Sequence, residues 1–300
     1  MKWEIILIIP YLSRSLNVAL SNRKTPPLPE TVQFPADVSF IDAHAHLLWP
    51  NLISDLPQIL SAAKKVRVNR IVNIGINLKD LNTILKFPTE FHSVFHVVGL
   101  HPEETIKLDA NWEQFELKIR ENADKFVGIG EIGLDYWETK EADLRKQQEI
   151  FFRRQLELAV ELEKPVVIHC RNAEKPALKI LQENIYQDIP GVLLHCFGGS
   201  QKYLEMALAR ENWMFTVPTS VVHKKIHRLL ALKVPINRIL LETDSPFLKP
   251  YPDLPRNEPQ YVVYGAQEIA NLKEISLEMV ARQTTSNAEQ FFSLPSRNTN

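Results

Sequence analysis

The chain has 300 residues with 35 basic and 36 acidic side chains, a net charge of −1, so no global positive field draws it to nucleic acid. Its 45% hydrophobic content is that of a soluble globular protein, and the length suits one large domain or two ordinary ones. Two cysteines, Cys170 and Cys196, exclude a disulfide framework and point to a reducing, cytoplasmic setting.

The chain opens with "MKWEIILIIPYL", an apolar run too short to span a bilayer. It reads as an N-terminal appendage. A cleavable signal is the alternative, because "ALS" imitates a cleavage site. "NRKTPPLPETVQFP" follows as an extended, Pro-rich linker. The boundaries expected are an appendage and linker over 1–37, a folded domain over 38–294 and a short tail over 295–300. No membrane partner is expected.

From residue 38 one alternation recurs. An apolar, often β-branched run ends in polar residues, and an amphipathic stretch follows. The strand-like runs are "SFIDAHAH", "RIVNIGIN", "SVFHVVGLHP", "FVGIGEIGLDY", "PVVIHCR", "GVLLHCFGG", "WMFTVPTS" and "RILLETDSPF". Helical spacing appears in "DLPQILSAAKKV", "DLRKQQEIFFRRQLELAVEL", "EKPALKILQENI", "HKKIHRLLAL" and "SLEMVARQTTSNAEQFF". In the longest of these, Phe151, Leu156, Ala159 and Leu162 share one side. Strands alternating with helices predict an α/β fold with a parallel sheet. Eight strands close a (β/α)8 TIM barrel of the usual length. An open doubly wound sheet would place a Gly-rich loop after its first strand, where this chain has "HAHLLWPN".

The strand ends carry the chemistry. Strand one ends in His44 and His46, strand three in His101, strand four in Glu131 and Asp135. Strand five ends in His169 and Arg171, strand six in His195, strand eight in Asp244. Period-two alternation predicts that Asp42, His44 and His46 share one face, with Ile41, Ala43 and Ala45 on the other. A lone histidine is better explained as a satisfied core residue, but so many metal-binding side chains on one barrel rim are not. Active sites of this fold lie at that rim. Imidazoles with a carboxylate able to bridge suit two divalent ions, which generate hydroxide and neutralise attacking and leaving oxygens. Glu131, on a central strand, can reach both ions, and Asp244 can ligate one and take the proton from water.

"DAHAHL", "GLHP", "GEIGLDY", "PVVIHCR", "GVLLHCFGG", "LLETDSPF" and "RNEP" together resemble the TatD family of metal-dependent deoxyribonucleases, in the family's order from residue 42 to 258. The resemblance implies a TIM barrel, two divalent ions (Mg²⁺, Mn²⁺ or Zn²⁺) and phosphodiester hydrolysis in DNA, from a 3′ end. It implies that His44 and His46 are first-strand ligands, Glu131 the bridge, His169 and His195 ligands of the second ion, and Asp244 the last ligand and base. Two features depart from the family: Gly198 stands where serine is usual, and the loop before "NEP" is short.

Around these ligands, Arg171 reads as a phosphate clamp or as a rim salt bridge with Glu131 or Asp135. His101 reads as a substrate contact, as an outer partner of a ligand, or as a turn cap held by Pro102. Arg256 and Asn257 read as substrate contacts that also anchor the loop after strand eight, or as a solvated turn. Cys170 and Cys196 are expected to turn towards the helices as apolar fillers. "HKKIH" (His223 to His227) reads as a solvated basic face. Gly128, Gly130 and Gly133 read as positions of close backbone approach. DNA, single-stranded or at a 3′ end, is the expected partner, and a monomer the expected state. The competing class is a binuclear amide, ester or lactone hydrolase, against which Glu131 speaks because such sites often carry lysine at the end of strand four. A scaffold with a residual metal site is the third reading.

Overall fold

The structure, a computed structural model, describes residues 24–31, 33–107 and 112–295. The apolar N-terminal run lies outside the described residues, and so does the tail beyond Pro295. Among the described residues eight parallel strands form one sheet: β1 (Phe40–Ala45), β2 (Val68–Gly75), β3 (Val94–Val98), β4 (Gly128–Asp135), β5 (Val166–Arg171), β6 (Val192–Leu194), β7 (Trp213–Pro218) and β8 (Ile239–Glu242). They pair in chain order, so each crossover brings the next strand beside the last. The main helices packed outside are α1 (Leu56–Lys65), α2 (Leu78–Ile84), α3 (Trp112–Glu121), α4 (Ala142–Glu161), α5 (Glu174–Leu181), α6 (Gln201–Leu208), α7 (Lys225–Lys233), α8 (Val262–Lys273) and α9 (Leu277–Phe291). Strands covered on both faces read as continuous Val/Ile/Leu runs, which is why all eight were visible in the sequence.

The barrel interior is one apolar cluster that includes Ile41, Ala43, Val72, Val97, Val167, Leu193 and Leu240. Ala288, Phe292 and Leu294, at and just after the end of α9, belong to the same cluster and cap the end of the barrel where the strands begin. Two residues further along β5, β6 and β8 stand His169, His195 and Glu242, so period two carries polar side chains into the opposite mouth.

Two irregularities aim the other ligands. Against β2, Asp42 pairs with Ile71 and Ala45 with Asn73, so β1 has one extra residue. Ile41 and Ala43 therefore lie inside, and the alternation slips before His44 and His46. The prediction that these two apolar residues face away from the site was wrong, because a bulge resets the period. Against β5, β4 has an extra residue between Gly130 and Ile132, and that residue is Glu131. Gly130 and Gly133 permit this. A Cβ on Gly130 would stand 2.7 Å from the Val167 Cβ, and one on Gly133, at φ 140°, would stand 2.0 Å from the His169 carbonyl oxygen.

The barrel closes between β8 and β1 by a short seam. The Asp244 N–H donates to the His44 carbonyl at 2.9 Å, and the His46 N–H to the Ser245 carbonyl at 2.8 Å. Asp42 extends the seam with its side chain. Its carboxylate accepts from the Thr243 N–H at 2.9 Å and the Thr243 hydroxyl at 2.6 Å.

Two further elements differ from expectation. The buried stripe of α4 contains Gln148, Phe152, Gln155, Leu156 and Ala159, one position round from the predicted Phe151. The described part of the Pro-rich linker has no helix or strand, yet it is docked. Leu28 and Phe34 pack on the core, and the Tyr264 hydroxyl donates to the Pro26 carbonyl at 2.5 Å.

Candidate metal centre

His44, His46, Glu131, His169, His195 and Asp244 meet at the C-terminal mouth of the barrel, lining or lying against a cleft of about 400 Å³. The His44 and His46 Nε2 atoms are 3.3 Å apart. Glu131 Oε2 lies 3.5 Å from His44 Nε2 and 3.7 Å from His46 Nε2. Asp244 Oδ1 lies 3.7 Å and 3.3 Å from the same two nitrogens. Asp244 adopts a left-handed backbone, φ 56°, just beyond β8. The other Glu131 oxygen, Oε1, is 2.6 Å from His169 Nδ1, 3.7 Å from His195 Nε2 and 3.8 Å from His101 Nε2. One carboxylate thus faces two groups of imidazoles.

These spacings fit a cation. Ligands at about 2.1 Å around a tetrahedral ion stand roughly 3.4 Å from each other. His44, His46 and Glu131 form one such group, His44, His195 and Asp244 another, and His101, Glu131 and His169 a third.

The electrostatics agree. Burial pushes the His44 imidazole down, toward the neutral form that ligates metal. Burial works against charge on His169 and His195 too, but carboxylates outweigh it. Asp135 and Glu131 carry His169 up to about 9, and Glu242 and Glu131 carry His195 up to about 10. Burial would raise Glu131, yet His195, His169 and His44 hold it well below the usual carboxylate range. The carboxylates demand positive charge inside the rim. Protons on the imidazoles and divalent cations are alternative ways to supply it.

A second row of residues orients the first. Glu242, fully buried on β8, holds His195 Nδ1 at 2.6 Å. Asp135 holds His169 Nε2 at 2.9 Å, and its carboxylate also accepts the N–H groups of Trp137 and Glu138. From α4, Gln148 accepts the Asp135 N–H at 3.0 Å. Gln155 bonds both the N–H and the carbonyl of Leu100, next to His101. Sequence reading missed Glu242 and both glutamines. "LLETD" did show Glu242 in phase with Asp244.

The expected substrate contacts separate. Arg171 stands half exposed at the mouth, 3.2 Å from Glu138 rather than from Glu131 or Asp135. His101 lies in the centre, 3.3 Å from His169, and its Nδ1 also caps the next turn by accepting the Glu103 N–H at 3.3 Å. Arg256 and Asn257 do not face the cleft. Arg256 is taken up by Asp55 at 2.7 Å, Glu258 at 2.9 Å and the Asn51 carbonyl. Asn257 is fully buried and donates to Thr219 and to the carbonyls of Thr243 and Phe247. Both anchor the loop, because every polar hydrogen of the Asn257 amide already has a partner inside the protein. A Cβ on Gly198 would meet nothing within 4 Å, so nothing in the packing requires glycine there.

Cys170 is the expected buried filler. Cys196 is not, since a left-handed φ of 44° turns it into the cleft, 3.4 Å from His227 Nε2. His227 itself is buried, its Nδ1 2.7 Å from the Ser220 hydroxyl. The solvated basic face predicted for this stretch holds at Lys224 and Lys225 and fails at His227, which α7, beginning at Lys225, turns inward.

A closed parallel barrel with buried imidazoles and carboxylates converging on its C-terminal rim is a metal-dependent hydrolase. The family model described as TatD related DNase matches residues 41–293, and the chain belongs to that family. It is similar to an uncharacterized metal-dependent hydrolase, YabD, of Bacillus subtilis (strain 168), 35% identical over 84% of this chain and 98% of that one. It is similar to the human deoxyribonuclease TATDN3, 33% identical over 86% of this chain and 96% of that one. It is also similar to the 3′-5′ ssDNA/RNA exonuclease TatD of Pantoea ananatis, 29% identical over 84% and 99%. The crystal structure of the TatD homologue YJJV from Escherichia coli K12 shares the fold, with a TM-score of 0.76 at 23% identity over 85% of this chain and 98% of that one. No helix among the described residues is long and apolar enough to cross a membrane.

Proposed function

We propose that the protein removes nucleotides from the 3′ ends of single-stranded DNA, with two divalent ions that would share Glu131 as a ligand. The observation that carries this is the division of the Glu131 carboxylate, Oε2 toward His44 and His46 and Oε1 toward His169 and His195. His44, His46, Glu131 and Asp244 would hold one ion, and Glu131, His169 and His195 the other. When bound, the ions supply hydroxide near neutral pH and neutralise charge on the scissile phosphate. Mg²⁺ and Mn²⁺ suit the phosphate chemistry, and the imidazoles suit Zn²⁺ or Mn²⁺.

The chain's own groups do the rest. Asp244, held below the usual carboxylate range against burial by His46 and His195, is ionised and accepts the proton of the attacking water at its carboxylate. Glu242 and Asp135 fix the rings of His195 and His169. Arg171, at the mouth of the cleft, meets negative charge on the phosphate by exchanging Glu138 for it. A reducing compartment is part of the reading, because both thiols are free, and a monomer is the state assumed with it.

The test uses metal-stripped protein with 3′-labelled and 5′-labelled single-stranded DNA, restoring Mg²⁺, Mn²⁺ or Zn²⁺, beside an Asp244→Asn control. Stepwise, metal-dependent shortening from the 3′ end, missing in the control, is expected. Bound metal without cleavage of any DNA would overturn the nuclease reading in favour of an amide or lactone hydrolase.

A further inference from the structure

The metal cleft has a second lobe of about 420 Å³, joined to the first at His169, Arg171, His195, Asp244 and Phe247. The lobes differ in lining. Arg171 stands on both walls, and the second adds Asn172, Glu174 and Lys224. The first adds Trp49, Glu103, Glu104 and Lys107, the last paired with Glu104 at 3.1 Å.

Trp49 and Phe247 each follow a proposed metal ligand by three residues, His46 and Asp244. Their rings meet edge to face, with centroids 5.1 Å apart and planes at 77°. Both also stand edge-on to His46, at 6.5 and 6.1 Å. Although paired, Trp49 is 39% and Phe247 43% exposed, so a large apolar surface faces water beside a charged centre.

The pair is held in place by the backbone. The Phe247 N–H donates to the Asp244 carbonyl at 2.8 Å, and its own carbonyl accepts from the buried Asn257 amide at 2.7 Å. The Trp49 N–H donates to the His46 carbonyl at 3.0 Å, and its carbonyl accepts from Leu52 and Ile53. Rigid, half-exposed aromatic rings are what nucleobases stack on. Glu103, with Glu104 offset by Lys107, leaves that lobe on balance acidic, which opposes a phosphate there but not an uncharged base.

We infer that Trp49 and Phe247 form a stacking site for the unpaired base of the 3′-terminal nucleotide, the one released by cleavage. The inference rests on the nuclease reading above. The phosphates of the remaining strand then run along the lobe of Arg171 and Lys224. A base still paired in a duplex cannot enter, so this pair, rather than the metal centre, imposes the need for a single-stranded end.

The test compares single-stranded oligonucleotides whose 3′-terminal residue bears a base with ones in which a tetrahydrofuran analogue replaces that residue. The wild type should prefer the base-bearing end by roughly 5- to 100-fold, mostly through KM, the range that base–aromatic stacking gives. Trp49→Ala and Phe247→Ala should lose most of that preference while retaining bound metal and a cooperative melt, and Trp49→Phe should keep much of it. A wild-type preference that survives in both alanine variants, or no preference at all, would overturn the inference and leave the nuclease reading intact.

A second readout needs no turnover. Deoxyadenosine 5′-monophosphate should quench tryptophan fluorescence more than deoxyribose 5-phosphate, and Trp49→Ala should abolish the difference. That result would support base binding even if no DNA were cleaved, in which case the nuclease reading alone fails. Equal quenching by the two ligands would count against the site itself.

Discussion

The two sides of the metal centre are built by different means. At the β8–β1 seam, Asp42, His44, His46 and Asp244 belong to the few residues that close the barrel. At the β4–β5 side, Glu131 bulges from a ladder whose pairing resumes at Ile132 and in which His169 lies opposite Gly133, while Asp135 holds His169 and two α4 glutamines hold Asp135 and Leu100 from outside. Ligand placement and fold closure are therefore one problem at the seam and two separate problems across from it.

The largest test of this contrast is chemical. Asp244→Asn should lower kcat by about 10²- to 10⁴-fold, the range for a general base, with little change in the melting temperature of metal-free protein. An unaltered kcat in steady-state cleavage of DNA would remove Asp244 from the reaction.

The next test attacks closure. Asp42→Ala leaves the buried Thr243 N–H and hydroxyl without their acceptor, and should cost about 3 kcal/mol of unfolding free energy in urea titrations. Glu131→Gln, on the opposite side, should weaken metal retention far more than Asp42→Ala does, and its cost to metal-free protein comes from removing the counter-charge of the buried His169 and His195. Equal losses of metal in the two variants would erase the distinction between the sides.

Smaller again is the effect of the orienting carboxylates. Glu242→Gln and Asp135→Asn should each weaken metal binding about 10- to 100-fold, read by chelator competition. If Glu242→Gln alone does so, the orienting role belongs to the seam side only.

The smallest effect lies beside the centre, at His227. Burial, with Lys224 and His223 behind it, presses this imidazole down to about 3, whereas an unfolded chain takes up a proton near 6.5. The unfolded state therefore binds more protons between these values. The associated stability is present above pH 6.5 and is lost as pH falls toward 3, by up to about 1.4 kcal/mol per unit. His227→Gln should flatten the melting temperature between pH 6.5 and 5. A slope identical to wild type would show that His227 takes up its proton at the same pH in the folded and unfolded chain.

How much of this was legible in the sequence depends on which physical rule governs each residue. Strands β2 to β8 are buried on both faces, and their apolar runs announced them. His169 and His195 follow period two from Val167 and Leu193, so their direction could be read as well. His44 and Glu131 could not be aimed that way, because a bulge stands at each and alternation does not reveal bulges. For Arg256 and Asn257 the geometry carries the loop-anchoring half of the reading, and the sequence could not separate the halves because a polar residue in a loop looks the same whether it meets substrate or its own backbone. Helix α8 escaped notice because "VVYGAQEIANLK" is buried on most sides, leaving little periodic contrast to detect.

The sequence alone determined the alternation of strands and helices, the rim on which the metal-binding side chains collect, and the identity of those side chains. All three follow from local periodicity and residue chemistry. Only the tertiary structure decided that Glu131 divides its oxygens between two imidazole groups, that Asp42 and Asn257 serve the frame, and that Trp49 and Phe247 meet over the cleft. Those facts depend on residues up to about two hundred positions apart being brought within hydrogen-bond or ring contact, which closure of the barrel achieves and no local pattern encodes.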